Sequence, residues 1–381
     1  MRSSVFVLAL LGGCGFRSSV VPDVGEELPV DAVLPPSDGC TTFSTQFDTC
    51  TLMFGGDLSL SGMVTYDTVT NELVVDGVMM PVQHQKLTIG GSPIDAIYAH
   101  DVKLAGNAKL RATGTLPFAI VASGRVTLEN GASIDVGAGG AGAQVACANG
   151  PTSGENDAGG GGGGGGGGYG ADGGNGGGGN SDHGLFGRNS RGGARGRAVG
   201  ARPPGPKGGC PGTRGGNGDA AGGAGGAGGG ALYIVAADRI ELGNGAAITA
   251  GGGGGSGGLM NGDAGGGGGG SGGMLVFEAP RISGQQGAVV ANGGGGGEGS
   301  DSAKAGNRGS DGSLLTTHTN GGAANASDGA DGGLGGSQES VPGGSVTTVL
   351  RGGGGGGGGG VGFIHIMSPE VQLGTVSPAA N

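Results

Sequence analysis

Two serines stand where a hydrolase nucleophile could stand. Ser256 in Gly254-Gly-Ser-Gly-Gly258 and Ser271 in Gly269-Gly-Ser-Gly-Gly273 both satisfy GxSxG. That motif works when a strand enters the serine and a helix leaves it, because the sharp turn exposes the hydroxyl. Polyglycine flanks both serines here, so composition alone accounts for the matches. Glu129, Asp135 and Asp101 are the carboxylates nearest to strand-like segments. Glycoside hydrolysis needs two carboxyls about 5–10 Å apart, and no neighbouring segment repeats an acidic pair. The chain has no tryptophan and four tyrosines, a poor supply of sugar-stacking platforms.

The five histidines, His84, His100, His183, His318 and His365, show no metal-ligand spacing. His365 lies in an apolar stretch and reads as a core or face residue. Gly306-Asn-Arg-Gly-Ser-Asp311-Gly and Gly215-Gly-Asn-Gly-Asp219 are faintly similar to calcium-binding nonapeptides, but neither recurs in tandem. The expectation is a non-enzymatic chain with no catalytic residue, no metal and no cofactor.

Cysteine offers chemistry of another kind. There are five: Cys14, Cys40, Cys50, Cys147 and Cys210. Four of them permit three pairings, and locality favours Cys40 with Cys50 and Cys147 with Cys210. An N-terminal basic residue, the apolar run Val5 to Leu11 and small residues before Cys14 form a secretory signal pattern too short to span a bilayer. Leu11-Gly12-Gly13-Cys14 resembles the lipobox of bacterial lipoproteins. The resemblance implies removal of residues 1–13, lipidation of Cys14 and a membrane partner reached through that lipid. Gly15 in place of Asp then implies the outer membrane. The remaining cysteines would meet an oxidising compartment.

Composition sets the outer limits. Glycine supplies 107 of 381 residues, 13 % are charged and 3 % aromatic. The net charge of −11 argues against nucleic acid as a partner, since phosphates call for a basic surface. Residues 14–39 lack periodicity and read as a disordered tether. Residues 40–100 contain short alternating runs, with Thr70-Asn71 as a hairpin turn, and read as an N-terminal β cap.

From residue 101 onward a repeat organises the chain. Val102 to Ala112 aligns without gaps on Val126 to Val136, on Ile240 to Ala250 and, less cleanly, on Ile282 to Asn292. Val371-Gln-Leu373-Gly374 reads as a truncated copy. Each copy is a strand, an Asn/Gly turn and a second strand of period two. Arg125, Arg239 and Arg281 precede three copies, Glu370 takes that slot in the last, and a further apolar strand lies upstream. The 24 residues between Val102 and Val126 suit one coil of a solenoid. The fold expected is all-β, a right-handed parallel β-helix.

The longer spacings place glycine-rich insertions at about 137–229, 251–272 and 293–360, each starting just after the last strand of a copy. In a stack, an equal starting position means a shared edge. The runs themselves read either as flexible loops, since ordering glycine costs about 1–2 kcal/mol per residue, or as laterally bonded polyproline-II helices.

Arg-Ile-Glu-Leu-Gly-Asn-Gly-Ala-Ala-Ile-Thr-Ala, Gly-Gly-Met-Leu-Val-Phe-Glu-Ala-Pro and the intervening glycine tracts resemble the glycine-rich β-helical surface lipoproteins of Gram-negative bacteria. The resemblance spans roughly residues 100–381. It implies export to the outer membrane or cell surface and a structural or adhesive role, with cell-surface polysaccharide or neighbouring envelope proteins as partners. The alternative reading is a β-helix that binds or degrades polysaccharide.

Overall fold

The computed structural model describes residues 40–180, 189–323, 329–337 and 352–380. The signal segment, Cys14 and the tether lie outside the described residues. Among the described residues the chain is all-β, with mostly parallel strands and no α-helix.

Three columns of strands carry the structure. In the first, Leu58–Leu60, Val102–Leu104, Arg125–Leu128, Arg239–Leu242 and the beginnings of Arg281–Val290 and Glu370–Ser377 pair in parallel. Val102, Val126, Ile240, Ile282 and Val371 are successive Cα partners, as the sequence repeat requires. In the second, Met63–Asp67, Lys109–Thr113, Ser133–Asp135 and Ala247–Thr249 lead to the far ends of the same two long strands. Alternation sends Val126, Leu128, Leu110, Ile134, Ile240 and Ile248 into one apolar interior. Each such side chain contributes about 1.5–3 kcal/mol on burial.

Two details depart from the repeat. Ile248 faces Val289, one residue earlier than the ungapped alignment places it, because 284–287 replaces the Asn-Gly turn with a shorter connection. The final copy is not truncated: Thr375, Val376 and Ser377 pair with Ala288, Val289 and Val290.

The third column joins Ser92–Ala99, Phe118–Ala122, Ala231–Ala236, Met274–Glu278 and Phe363–Met367. Its middle strands are buried on both faces, which explains their unbroken apolar sequences. One face meets the interior; Phe43, Phe47, Phe54 and Tyr169 pack on the other. Glu278 fastens that cover: its carboxylate accepts from Ser44 Oγ at 2.8 Å, Thr45 N at 2.6 Å and the Tyr233 hydroxyl. Antiparallel hairpins flank the early strands. Met63–Asp67 turns into Glu72–Val75 through Asn71, whose φ is 60°, and His84–Ile89 pairs with Ser92–Ala99.

The glycine-rich segments are ordered by their backbones. Gly161, Gly164 and Gly167 donate to Asp263, Gly266 and Gly269; Gly266, Gly269 and Gly272 donate to Gly354, Gly357 and Gly360. Gly354, Gly357 and Gly360 then donate back to Gly161, Gly164 and Gly167, closing a triangle of bonds 2.8–2.9 Å long. Other residues of the first run reach other neighbours: Gly162 and Gly165 bond Glu155 and Thr152, while Gly163 and Gly166 bond Gly177 and Gly174. Successive residues thus point in three directions, with a period of three.

Space dictates glycine at these positions. A Cβ on Gly164, Gly165 or Gly166 would lie 2.2, 2.0 or 2.0 Å from a carbonyl oxygen of a neighbouring run. None of Gly160–Gly168 has positive φ, so the requirement is room and not handedness. Residues 159–168, 264–272, 293–300 and 352–360 are buried throughout and almost pure glycine. Perimeter runs relax to one free position in three. Ala224 and Ala227 are exposed while Gly223 and Gly226 are buried; Arg191, Ala194 and Arg197 are exposed while Gly193 and Gly196 are buried.

The runs also pair with one another where they leave and enter the strands. Outgoing runs stack, with Gly252, Gly255 and Gly258 donating to Asn292, Gly295 and Glu298. Incoming runs stack as well, with Gly223, Gly226 and Gly229 donating to Gly265, Gly268 and Ser271. They continue directly into Ala231–Ala236 and Met274–Glu278, so the strand columns set the register of the glycine layer.

Candidate interaction surface

The serines of the GxSxG matches serve the glycine layer. Ser271 is buried, its Oγ accepting from Cys210 N at 2.8 Å and donating to Cys210 O at 3.3 Å. Ser256 N donates to Ala224 O of a neighbouring run. Asp311, from the calcium-like stretch, accepts from Gly254 N and from Arg308.

The three carboxylates are engaged in pairs along the columns. Asp135 meets Arg111 at 2.5 Å and accepts from Gly137 N at 2.7 Å. Glu129 meets Lys103 at 2.6 Å and accepts from Gly106 N; that lysine and that N–H hold its carboxyl below the usual range. Partial burial pushes Asp101 up, but the backbone N–H and guanidinium of Arg125 outweigh it and hold the carboxyl low. Carboxyls held low stay ionised at neutral pH and are poorly suited to deliver a proton.

Register explains one cluster that the sequence reading missed. Because Leu58 faces Val102, the residues before them, Asp57 and Asp101, become neighbours in the slot that later holds Arg125, Arg239, Arg281 and Glu370. His100 Nδ1 lies 3.1 Å from Asp57 and 3.7 Å from Asp101. The three could reach one cation. Both Asp101 oxygens, however, already accept from Arg125, at 2.9 and 3.0 Å. The slot reads as a charge ladder, continued by Arg281 with Glu370 at 2.9 Å and by Arg239 with Asp238 and Glu241.

Both expected disulfides are present. Cys147 and Cys210 are bonded, with Cα atoms 5.9 Å apart, and Cys40 and Cys50 are disulfide-bonded too. The first bridge closes the base of the first insertion, beside Ser271.

That insertion presents the most distinctive surface. Between residues 183 and 218 the sequence has seven Lys and Arg and no Asp or Glu, in a chain of net charge −11. The total charge hides this segregation; a windowed count would have found it. The perimeter runs 189–198, 151–157 and 210–218 lie side by side, tied by bonds from Glu155 N to Arg191 O, Thr152 N to Ala194 O and Gly154 N to Arg214 O. Asp172 fastens the adjacent run. It accepts from Ala198 N at 2.7 Å and pairs with Arg195 and Arg197 at 3.1 Å, and these contacts, the Ala198 N–H foremost, hold its carboxyl low.

Arg191, Arg202, Lys207 and Arg214 have no carboxylate within salt-bridge distance among the described residues. Arg191, Lys207 and Arg214 are exposed. Such a surface can offer fixed cations to a ligand.

No protein-family model matches this chain, and neither the curated proteins nor the solved structures include a significant match to it.

Proposed function

We propose that the chain is an exported, lipid-anchored surface protein with a structural or adhesive role. In this reading a right-handed parallel β-helix carries a bundle of polyproline-II glycine helices on one edge. The observation that carries it is the three-residue hydrogen-bond repeat among the glycine runs. A polyproline-II helix has three residues per turn and no internal hydrogen bonds, so its polar groups need lateral partners once water is excluded. Satisfying them laterally yields a stiff layer whose buried positions are fixed and whose outer positions can vary. That is a scaffold for extended contact. Parallel columns in register along the stack support the solenoid, and two disulfides support an oxidising compartment.

The anchor rests on the Leu11-Gly-Gly-Cys14 pattern and is tested by Cys14→Ser. Expressed in a Gram-negative host, the native chain is expected in the outer-membrane fraction and the variant in the soluble fraction. Continued membrane retention of the variant would refute lipidation at that cysteine.

A further inference from the structure

We infer that the basic ridge of the first glycine insertion binds a linear, carboxylate-bearing polysaccharide. The inference deepens the adhesive reading by naming the ligand class and the face, and it does not depend on the lipid anchor.

Three observations carry it. The first is segregation: the described stretch 189–218 holds Arg191, Arg195, Arg197, Arg202, Lys207 and Arg214 and no acid, within an acidic chain. The second is lack of neutralisation among the described residues. On the strand columns Lys103, Arg111, Arg125, Arg239 and Arg281 each have a carboxylate within 3.0 Å. On the ridge one carboxylate, Asp172, serves both Arg195 and Arg197. The third is rigid presentation. Arg191, Ala194 and Arg197 occupy one outward line of a run hydrogen-bonded to its neighbours, with Gly193 and Gly196 buried beneath.

Chemistry selects among polyanions. A guanidinium binds a carboxylate through two parallel N–H bonds, and the small Ala194 leaves room for a chain to lie between Arg191 and Arg197. Arg214 stands across the adjacent run 151–157, where exposed Thr152, Ser153 and Asn156 offer hydroxyl and amide groups suited to sugar hydroxyls. Glu155 and Asp157 also lie on that run, and Glu155 is turned to accept from Arg191 N at 3.0 Å. A dense polyanion such as duplex DNA meets the repulsion of the whole acidic molecule, and the ridge carries no aromatic side chain for base stacking.

The test is titration of the full chain with polygalacturonate, neutral dextran and duplex DNA at low and at moderate salt. The expected result is salt-sensitive binding of polygalacturonate alone. Affinity should fall about tenfold or more in Arg191→Ala/Arg214→Ala, given two lost charge-assisted contacts. Lys109→Ala/Lys304→Ala removes the same charge from exposed lysines elsewhere and is expected to leave binding unchanged. Failure to bind polygalacturonate, equal binding of dextran, equal or tighter binding of DNA, or an equal loss in the lysine variant would each overturn the inference. Fractionation of Cys14→Ser is independent of all four outcomes, so failure of the ridge and failure of the anchor are distinguishable.

Discussion

Gly164 shows how little freedom a single residue has in this molecule. A methyl group there would sit 2.2 Å from the Thr213 carbonyl oxygen, which belongs to a backbone already bonded on several sides. Overpacking a tight interior costs about 1–3 kcal/mol, and a backbone neighbour cannot rotate away. Gly164→Ala is expected to lower the denaturation midpoint by about 2–3 kcal/mol equivalent, whereas Ala227→Ser, on an exposed outer position, should stay within about 0.5 kcal/mol. Denaturant titration of the two variants separates packing from composition. Asp95 is the second informative residue. It is fully buried, accepts from the Tyr66 hydroxyl at 2.6 Å and leaves Oδ1 without a hydrogen-bond partner. Burial raises its carboxyl pKa, against the Tyr66 hydrogen bond and the opposing charges of His84 and Lys86. A folded-state value above the unfolded one means that the penalty is present above the folded pKa. It is relieved as pH falls toward the unfolded value. Asp95→Asn should therefore raise the melting temperature at neutral pH, with the gain shrinking toward about pH 4. A gain that is constant with pH would assign the effect to something other than titration.

The elements show what the sequence could and could not disclose. Val102, Val126, Ile240 and Ile282 are equivalent in sequence and adjacent in space, because in a parallel stack apolar spacing and pairing register express the same constraint. The start of every insertion after the second strand was legible for the same reason. The slip between Ile248 and Val289 was not, since it arises in 284–287, where no apolar residue reports position. Neighbours among the glycine runs were illegible for a deeper reason: a residue without a side chain encodes no partner. Their register is inherited from Ala231, Met274 and Phe363, where the runs enter strands. The Cys147–Cys210 bridge adds a second constraint at the base of the first insertion, 63 residues apart in sequence. Chain-entropy arguments give such a closure about 4 kcal/mol. In Cys147→Ser/Cys210→Ser we expect loss of up to that amount and new protease sites within 144–210, while the strand columns remain resistant. Cleavage within the columns at the same rate would contradict this division.

At the scale of the molecule, two kinds of order share one chain. The columns are held by buried Val, Leu and Ile in one interior and by the apolar cover on the third column. The glycine layer is held mainly by peptide groups, with a few side-chain bonds and one disulfide. Each ordered glycine loses about 1–2 kcal/mol of conformational freedom, while a hydrogen bond returns about 0.5–1.5 kcal/mol net. The layer is therefore stable only as a cooperative body fastened to the columns. That dependence gives the sharpest test: amide hydrogen exchange of the full chain, resolved over 159–168, 264–272, 293–300 and 352–360. Protection within these runs should approach that of Phe118–Ala122 and Ala231–Ala236, and should be lost together with it as denaturant is raised. Exchange of the runs at the rate of an unfolded chain, with the strands still protected, would contradict the ordered layer on which the proposed role depends.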